Sequence, residues 1–431
     1  MYKDVLKKIF NKIHRIFFGR DAGQNMHIFA KNVLVTFFGG ISAFGVLFFV
    51  NVFAARMLGP EEYGKYSVFL SIAQLLSLLF VLELDVSALF FLSKKNIEEK
   101  RVITASIMNI FMISIIVFSL LALSIFYFID VKDVSFLAFI GVLSLGFVFA
   151  FERMMDAFLR SDGKYHIQSF LRFLDAVLVA CALCVFFFVF KNATFYSYVG
   201  SVIFGSFFFG IFGLFFVRSI LSRCIWNTKK ISEIFRHNSY GLVNAMINGV
   251  IKNTDKILIA SILGLGMSGI YAAYFTSSII VGERIVQLFV NVFFPTMRDN
   301  TKNISRIYAK INAVFIKLFV FLFICASFGV FLMVSLYGKE YTIVWMWIVL
   351  GGLYIVVHFF ASLYGWMLSS ISTKGYKYYN VAFLYGAVAY GSVLVVSLVL
   401  DVFSVTSFFI ALICYRAVSG TFSFFTVRNL I

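Results

Sequence analysis

Residues 31–92 read KNVLVTFFGGISAFGVLFFVNVFAARMLGPEEYGKYSVFLSIAQLLSLLFVLELDVSALFFL. Two apolar runs, 31–55 and 66–92, flank the polar decapeptide RMLGPEEYGK at 56–65. A bilayer core takes roughly 20 helical residues, so each run is long enough for one span and the decapeptide is their connection. Barrel strands would alternate over about ten residues, half this length. Comparable runs follow at 103–129, 134–158, 168–190, 195–217, 239–263, 268–295, 312–336, 343–369, 378–400 and 404–426. The expectation is an all-α polytopic membrane protein with twelve transmembrane helices, short loops and no large extramembrane domain. A composition 61% hydrophobic and 13% charged excludes a soluble globule.

The net charge of +17 would suggest nucleic acid in a soluble chain, but the basic residues sort by loop. With both termini inside, 27 Lys and Arg lie on the cytoplasmic side, five outside (Arg56, Lys65, Lys132, Lys191, Lys339) and five within spans (Lys252, Lys256, Arg284, Lys317, Arg416). That asymmetry is the positive-inside pattern, and no nucleic-acid partner is needed to explain it. Residues 1–20 place Val5, Leu6, Ile9, Phe10, Ile13 and Phe17 on one face, as in an amphipathic helix lying on the cytoplasmic leaflet. The domain reading is an N-terminal segment 1–27, an N-lobe 28–217 with six spans, a linker 218–238 and a C-lobe 239–431 with six more.

The halves share a repeat. Ala55, Leu58, Gly59, Gly64 and Tyr66 recur as Ala260, Leu263, Gly264, Gly269 and Tyr271, each 205 residues on. Both copies of A-x-x-L-G-x-x-x-x-G-x-Y join the first and second spans of a half. Six spans per half keep both halves in the same direction, which implies a pseudo-two-fold along the membrane normal.

ARMLGPEEYGKYSVFLSIAQLL, the first copy with its flanks, resembles the first-loop signature of the Wzx-type polysaccharide flippases, within the multidrug/oligosaccharidyl-lipid/polysaccharide superfamily. That resemblance implies a bacterial inner-membrane transporter flipping undecaprenyl-pyrophosphate-linked repeat units outward by alternating access. It further implies surface polysaccharide biosynthesis (O-antigen or capsule), a proton or sodium ion as coupling ion, and a polysaccharide polymerase and chain-length regulator as partners.

The residues that would carry such chemistry lie inside spans. Asn244, Asn248, Lys252, Asp255 and Lys256 form one stripe of span seven, readable as a structural pair or as a cationic surface for pyrophosphate. In span eight Ser277, Arg284, Gln287 and Asn291 share a face with Glu283 about 100° away, and span twelve contributes Arg416. Lys252, Lys256, Arg284 and Arg416 are thus expected to attract the pyrophosphate, and Gln287, Asn291, Tyr354 and His358 to contact sugars. Asp255, Glu283 and Asp85 are the coupling candidates, with Asp85 available to pair with Arg284 or Arg416. Arg172 and Asp175 read as a local pair, and Glu152, Arg153 and Asp156 as a solvated cluster.

No enzyme signature is found, no cofactor is expected, and the scattered His residues and Cys181/Cys184 have no metal-ligand context. The alternatives are a drug or small-cation antiporter of the same superfamily, which would want an anionic cavity, and a membrane-embedded polymerase, which would usually need a longer catalytic loop.

Overall fold

The computed structural model describes residues 24–92, 95–129, 135–221, 227–287, 304–371 and 373–430. Among them the chain is helical with short connections and contains no strand. The amphipathic segment 1–20 and Asn291 lie outside the described residues.

Spans one and two form one long element, α1 (Gln24–Val81), interrupted at Gly59 with φ 73° and ψ 169°. Glycine tolerates that positive φ, and Pro60 restarts the helix where no backbone donor is needed. The expected ten-residue connection is therefore a single corner. Span two finishes in α2 (Leu84–Leu92). Spans three to six are α3 (Ile97–Ile129), α4 (Phe136–Ser161), α5 (Tyr165–Cys184, continued by a π turn Val185–Val189) and α6 (Phe195–Val217). Span seven is α7 (Thr228–Leu263), and span eight is α8 (Leu265–Phe275) with a π turn at Thr276–Ile280. The remainder are α9 (Ile304–Ser335), α10 (Trp345–Ile371), α11 (Thr373–Val399) and α12 (Val405–Leu430).

Ten of these stretches are long and apolar enough to cross a membrane. Gly40–Val81 counts once there although it holds two spans, and α7 is missing because its polar stripe lowers its hydropathy. Ten plus one plus one restores twelve. Side chains such as Phe128 (82% exposed) and Ile316 (75%) point outward, as a lipid-facing surface requires.

By internal packing the chain divides into two compact units. One holds Gly39–Ala273 with Tyr337–Thr342, the other Tyr274–Leu336 and Ile343–Ile431. The first is built around Phe80, Leu84, Phe111, Met154, Phe158, Leu171 and Phe209. The second packs α9, α10 and α12 through Tyr308, Val356, Phe360, Met367 and Val427.

Between α1 and α2 the helix is broken at Leu82 and Glu83, whose φ values of 48° and 60° are unusual for residues with side chains. Asn238 of α7 braces this break. Its Nδ2 donates to the Leu82 carbonyl at 3.0 Å, and its Oδ1 accepts from Ser87 Oγ. Caps set the helix starts elsewhere: Ser135 accepts from the Ala138 amide and Asn227 from the Lys230 amide.

Between α4 and α5, Asp162 takes Lys100 Nζ at 2.7 Å and Lys164 Nζ at 2.8 Å. Burial raises its carboxyl pKa, but the two ammonium groups outweigh burial and hold it below the ordinary carboxylate range. A depressed folded-state pKa stabilises fully above the unfolded value, and the benefit is lost as pH falls through the folded one. Asp162→Asn should therefore lower thermal stability at pH 7 by roughly 1 kcal/mol, a difference that disappears in acid. Melting curves of both proteins from pH 7 downwards check this; a gap that persists unchanged in acid assigns the effect to packing.

Candidate functional site

The polar stripe of α7 divides by depth. Asn248 Nδ2 donates to the Asn244 carbonyl at 2.9 Å, and Lys252 is half-buried. Asp255 and Lys256 are buried, and they engage each other: Lys256 Nζ lies 3.3 Å from Asp255 Oδ1 and donates to the Lys252 carbonyl at 3.0 Å. Tyr271 Oη donates to Asp255 Oδ2 at 2.6 Å. Both carboxylate oxygens are thus engaged. Of the two readings of this stripe, the ion pair describes Asp255 and Lys256 in this state, and Lys252 is the stripe's more accessible cation.

A second group sits in the other unit. Glu283 lies just past the π turn of span eight, and its Oε1 accepts from Tyr354 Oη of α10 at 3.0 Å. Arg416 of α12 approaches the same oxygen at 3.4 Å, with its guanidinium 4.7 Å from the Tyr415 ring centroid and 5.6 Å from that of Phe383. Those aromatic faces help a buried cation to lie in an apolar bundle. His358, one turn below Tyr354, stacks parallel to it at 5.7 Å. Three helices thus converge on one carboxylate.

The span-eight stripe expected from a constant 100° step does not persist. Ser277 is buried while Arg284 and Gln287 are exposed, and Glu283 meets α10 and α12. The π turn at Thr276–Ile280 is the cause, because widening one turn rotates every later residue off the extrapolated face.

Three further expectations are corrected in the first unit. Asp85 pairs with Arg153 of α4 at 2.8 Å rather than with Arg284 or Arg416. Glu152 and Asp156 are not a solvated cluster: both are buried, and Arg172 of α5 bridges them. The ion pairs of Arg172 are thus with Glu152 and Asp156 rather than with Asp175, the local partner expected for it, which it influences only electrostatically. Gln168 Nε2 donates to Asp156 Oδ1 at 2.7 Å and Arg160 reaches Oδ2 at 3.0 Å, while the Arg172 guanidinium covers the Phe209 ring at 4.6 Å. The sequence held a signal for this group: Glu152 and Asp156 are one turn apart and precede a span that opens with Gln168 and Arg172. Among the described residues no cluster of three or more His, Cys, Asp or Glu is arranged to hold a metal ion.

Residues 29–301 match the family described as polysaccharide biosynthesis protein. The chain belongs to this family. The fold of this polysaccharide biosynthesis protein is that of solved transporters. A MOP superfamily transporter from Pyrococcus furiosus, described by the reverse polarity of its binding pocket, matches at TM-score 0.61 and 12% identity, over 93% of this chain and 94% of that one. An outward-facing multidrug resistance MATE family transporter gives 0.59 and 12%, covering 93% and 95%. A mutant of the Vibrio cholerae MATE transporter VcmN gives 0.56 and 11%, again covering 93% and 95%. No curated protein matches the sequence. The family member therefore shares the all-helical fold of these MATE structures, and its described residues hold ten stretches long and apolar enough to cross a membrane.

Proposed function

We propose that the protein moves a pyrophosphate-linked oligosaccharide repeat unit on an undecaprenyl-type lipid from the cytoplasmic to the external leaflet of the bacterial inner membrane. The proposal places both termini in the cytoplasm, assigns the six-span lobes 28–217 and 239–431, and puts the protein in O-antigen or capsule synthesis before a polymerase and its chain-length regulator. The observation that carries it is the charge inside the C-terminal six spans: Lys252, Lys256, Arg284, Lys317 and Arg416 against Asp255 and Glu283, a net +3, in a family of polysaccharide biosynthesis. A diphosphate loses its hydration on entering a bundle of helices, and fixed cations offset that loss. A carrier of organic cations would want the opposite sign.

Lys252 and Arg284, both more accessible than Lys256 and Arg416, are the first pyrophosphate contacts. Arg416 holds Glu283 and Tyr354, which with His358, Gln287 and Asn291 form the sugar-facing set. Glu283 is the favoured coupling carboxylate, for a proton or sodium ion, because its side chain is 21% exposed, against 15% for Asp85 and 0% for Asp255.

The test is flipping of a fluorescent undecaprenyl-pyrophosphate oligosaccharide in proteoliposomes. Charge-assisted contacts are worth about 1.5–3 kcal/mol each. Lys252→Gln with Arg284→Gln should slow flipping tenfold or more at unchanged thermal stability, while Lys252→Arg with Arg284→Lys should keep most of it. A parent protein that moves ethidium against a cation gradient and leaves the lipid in place would instead identify the drug antiporter.

A further inference from the structure

The two copies of the repeat meet each other. Gly59 and Gly264 both turn with positive φ, 73° and 91°, and each is followed at once by a new helix. Five residues later the helices cross at backbone contact. A Cβ on Gly64 would lie 1.9 Å from the Leu265 carbonyl oxygen, and one on Gly269 would lie 1.9 Å from that of Pro60. Leu265 is Pro60 shifted by 205, so the contact is reciprocal and a local two-fold passes through it.

Hydroxyls lock the crossing. Ser67 Oγ donates to the Gly64 carbonyl at 2.9 Å and stands 3.3 Å from Ser268 Oγ. Ser268 Oγ donates to the Lys256 carbonyl at 3.1 Å, so the crossing is tied to the buried Asp255–Lys256 pair and, through Tyr271, to both ends of it. Beside it, the Tyr337–Thr342 loop between α9 and α10 folds over the end of span one. Asn51 Nδ2 donates to Tyr63 Oη at 2.8 Å and Tyr337 Oη at 3.1 Å, Tyr198 Oη donates to Asn51 Oδ1 at 3.0 Å, and Tyr341 Oη donates to the Ala55 carbonyl at 2.9 Å. Tyr63, Tyr337 and Tyr341 are almost fully buried. Every contact here is short, polar and non-covalent, and all lie at the end that bears Glu61, Lys65 and Lys339, away from the basic loops.

We infer that the reciprocal Gly64/Gly269 crossing, strapped by Tyr337–Thr342 and positioned from behind by Asp255–Lys256, is the outer gate of the transporter. Alternating access requires this end to part in one state and seal in the other. Glycine on both faces lets the backbones seal without interlocked side chains, and the hydroxyl contacts re-form without covalent change. Asp255 and Lys256 are positioning residues in this scheme. The inference rests on alternating access and on the orientation proposed above, not on which substrate is carried.

The experiment uses the full chain with its five cysteines replaced by serine, carrying Ser67→Cys, Ser268→Cys, a deeper reporter Asn248→Cys and, separately, a surface control Glu61→Cys. The hydroxyl separation suits a disulfide after a small adjustment. An impermeant maleimide is added outside intact cells before and after oxidation. The control should label throughout. The reporter should label before oxidation, drop at least tenfold when the 67–268 bridge forms, and recover with reductant. In the reporter background, Gly269→Ala, which prevents the seal, should raise reporter labelling. Reporter labelling that is absent before oxidation, or unchanged once the bridge has formed, overturns the gate, as does failure of the two thiols to bridge. If the reporter responds as expected while labelled lipid still fails to flip in the reduced protein, the gate stands and the substrate assignment falls.

Discussion

Arg172→Met should remove about 3–5 kcal/mol of stability, the loss expected when one partner of a buried ion pair is deleted and the other charges remain. Here Glu152 relies on a guanidinium that also holds Asp156, together with Arg160, and covers Phe209. Methionine matches the length of the arginine stem and restores no charge. Denaturation of the detergent-solubilised protein should show the loss directly, and yield in membranes should fall with it. Adding Glu152→Gln and Asp156→Asn to the same chain should recover much of the stability, because amides need no counter-charge. Arg172→Met melting with the parent would mean that water or Arg160 already neutralises the group, and the bridging role would be withdrawn.

The second large effect is expected at the crossing of the repeats. Gly269→Val and Gly64→Val each put a branched side chain where even a Cβ would fall 1.9 Å from a carbonyl oxygen of the facing helix. Backbone cannot yield as a flexible side chain does. Overpacking typically costs about 1–3 kcal/mol and occasionally more. A loss of about 2.7 kcal/mol from the sealed state would reduce export about a hundredfold. Surface polysaccharide in a deletion strain carrying either variant, at matched membrane levels, measures this. Because the contact is reciprocal, the two variants should resemble each other more than either resembles Gly266→Val, which meets nothing within 4 Å. Normal export by either crossing variant would show that the sealed contact is not part of the working cycle.

The membrane architecture was legible because span length is a strong constraint: a run such as 103–129 has few other physical readings. Span seven was recognised from its spacing even though Lys252, Asp255 and Lys256 pull its hydropathy below that of the other helices. The repeat at 55–66 and 260–271 was also visible, and it proved to mark residues that touch. Partner choice was the part that could not be read. Arg172 has Asp175 three residues away, yet it turns to two carboxylates on the preceding helix, because two buried charges there outbid one local neighbour. Asp85 found Arg153 because both belong to one packed unit, whereas Arg284 and Arg416 belong to the other. Around Glu283 the wheel failed because one turn of span eight is π, a local irregularity that no periodicity calculation assumes.

α7 runs from Thr228 to Leu263 without a kink, 36 residues or about 54 Å of continuous helix. The hydrocarbon slab is only about 30 Å thick, so this rod overshoots it by several turns. Near one end Asn238 grips the fractured backbone at Leu82; near the other, Lys256 and Asp255 hold Ser268 and Tyr271. A helix of this kind twists and tilts as one body, since its hydrogen bonds leave no soft joint between those grips. Movement imposed where Asn238 grips α2 would therefore pass along the helix toward Ser268 and Tyr271, making the two ends one lever with the bilayer as its fulcrum.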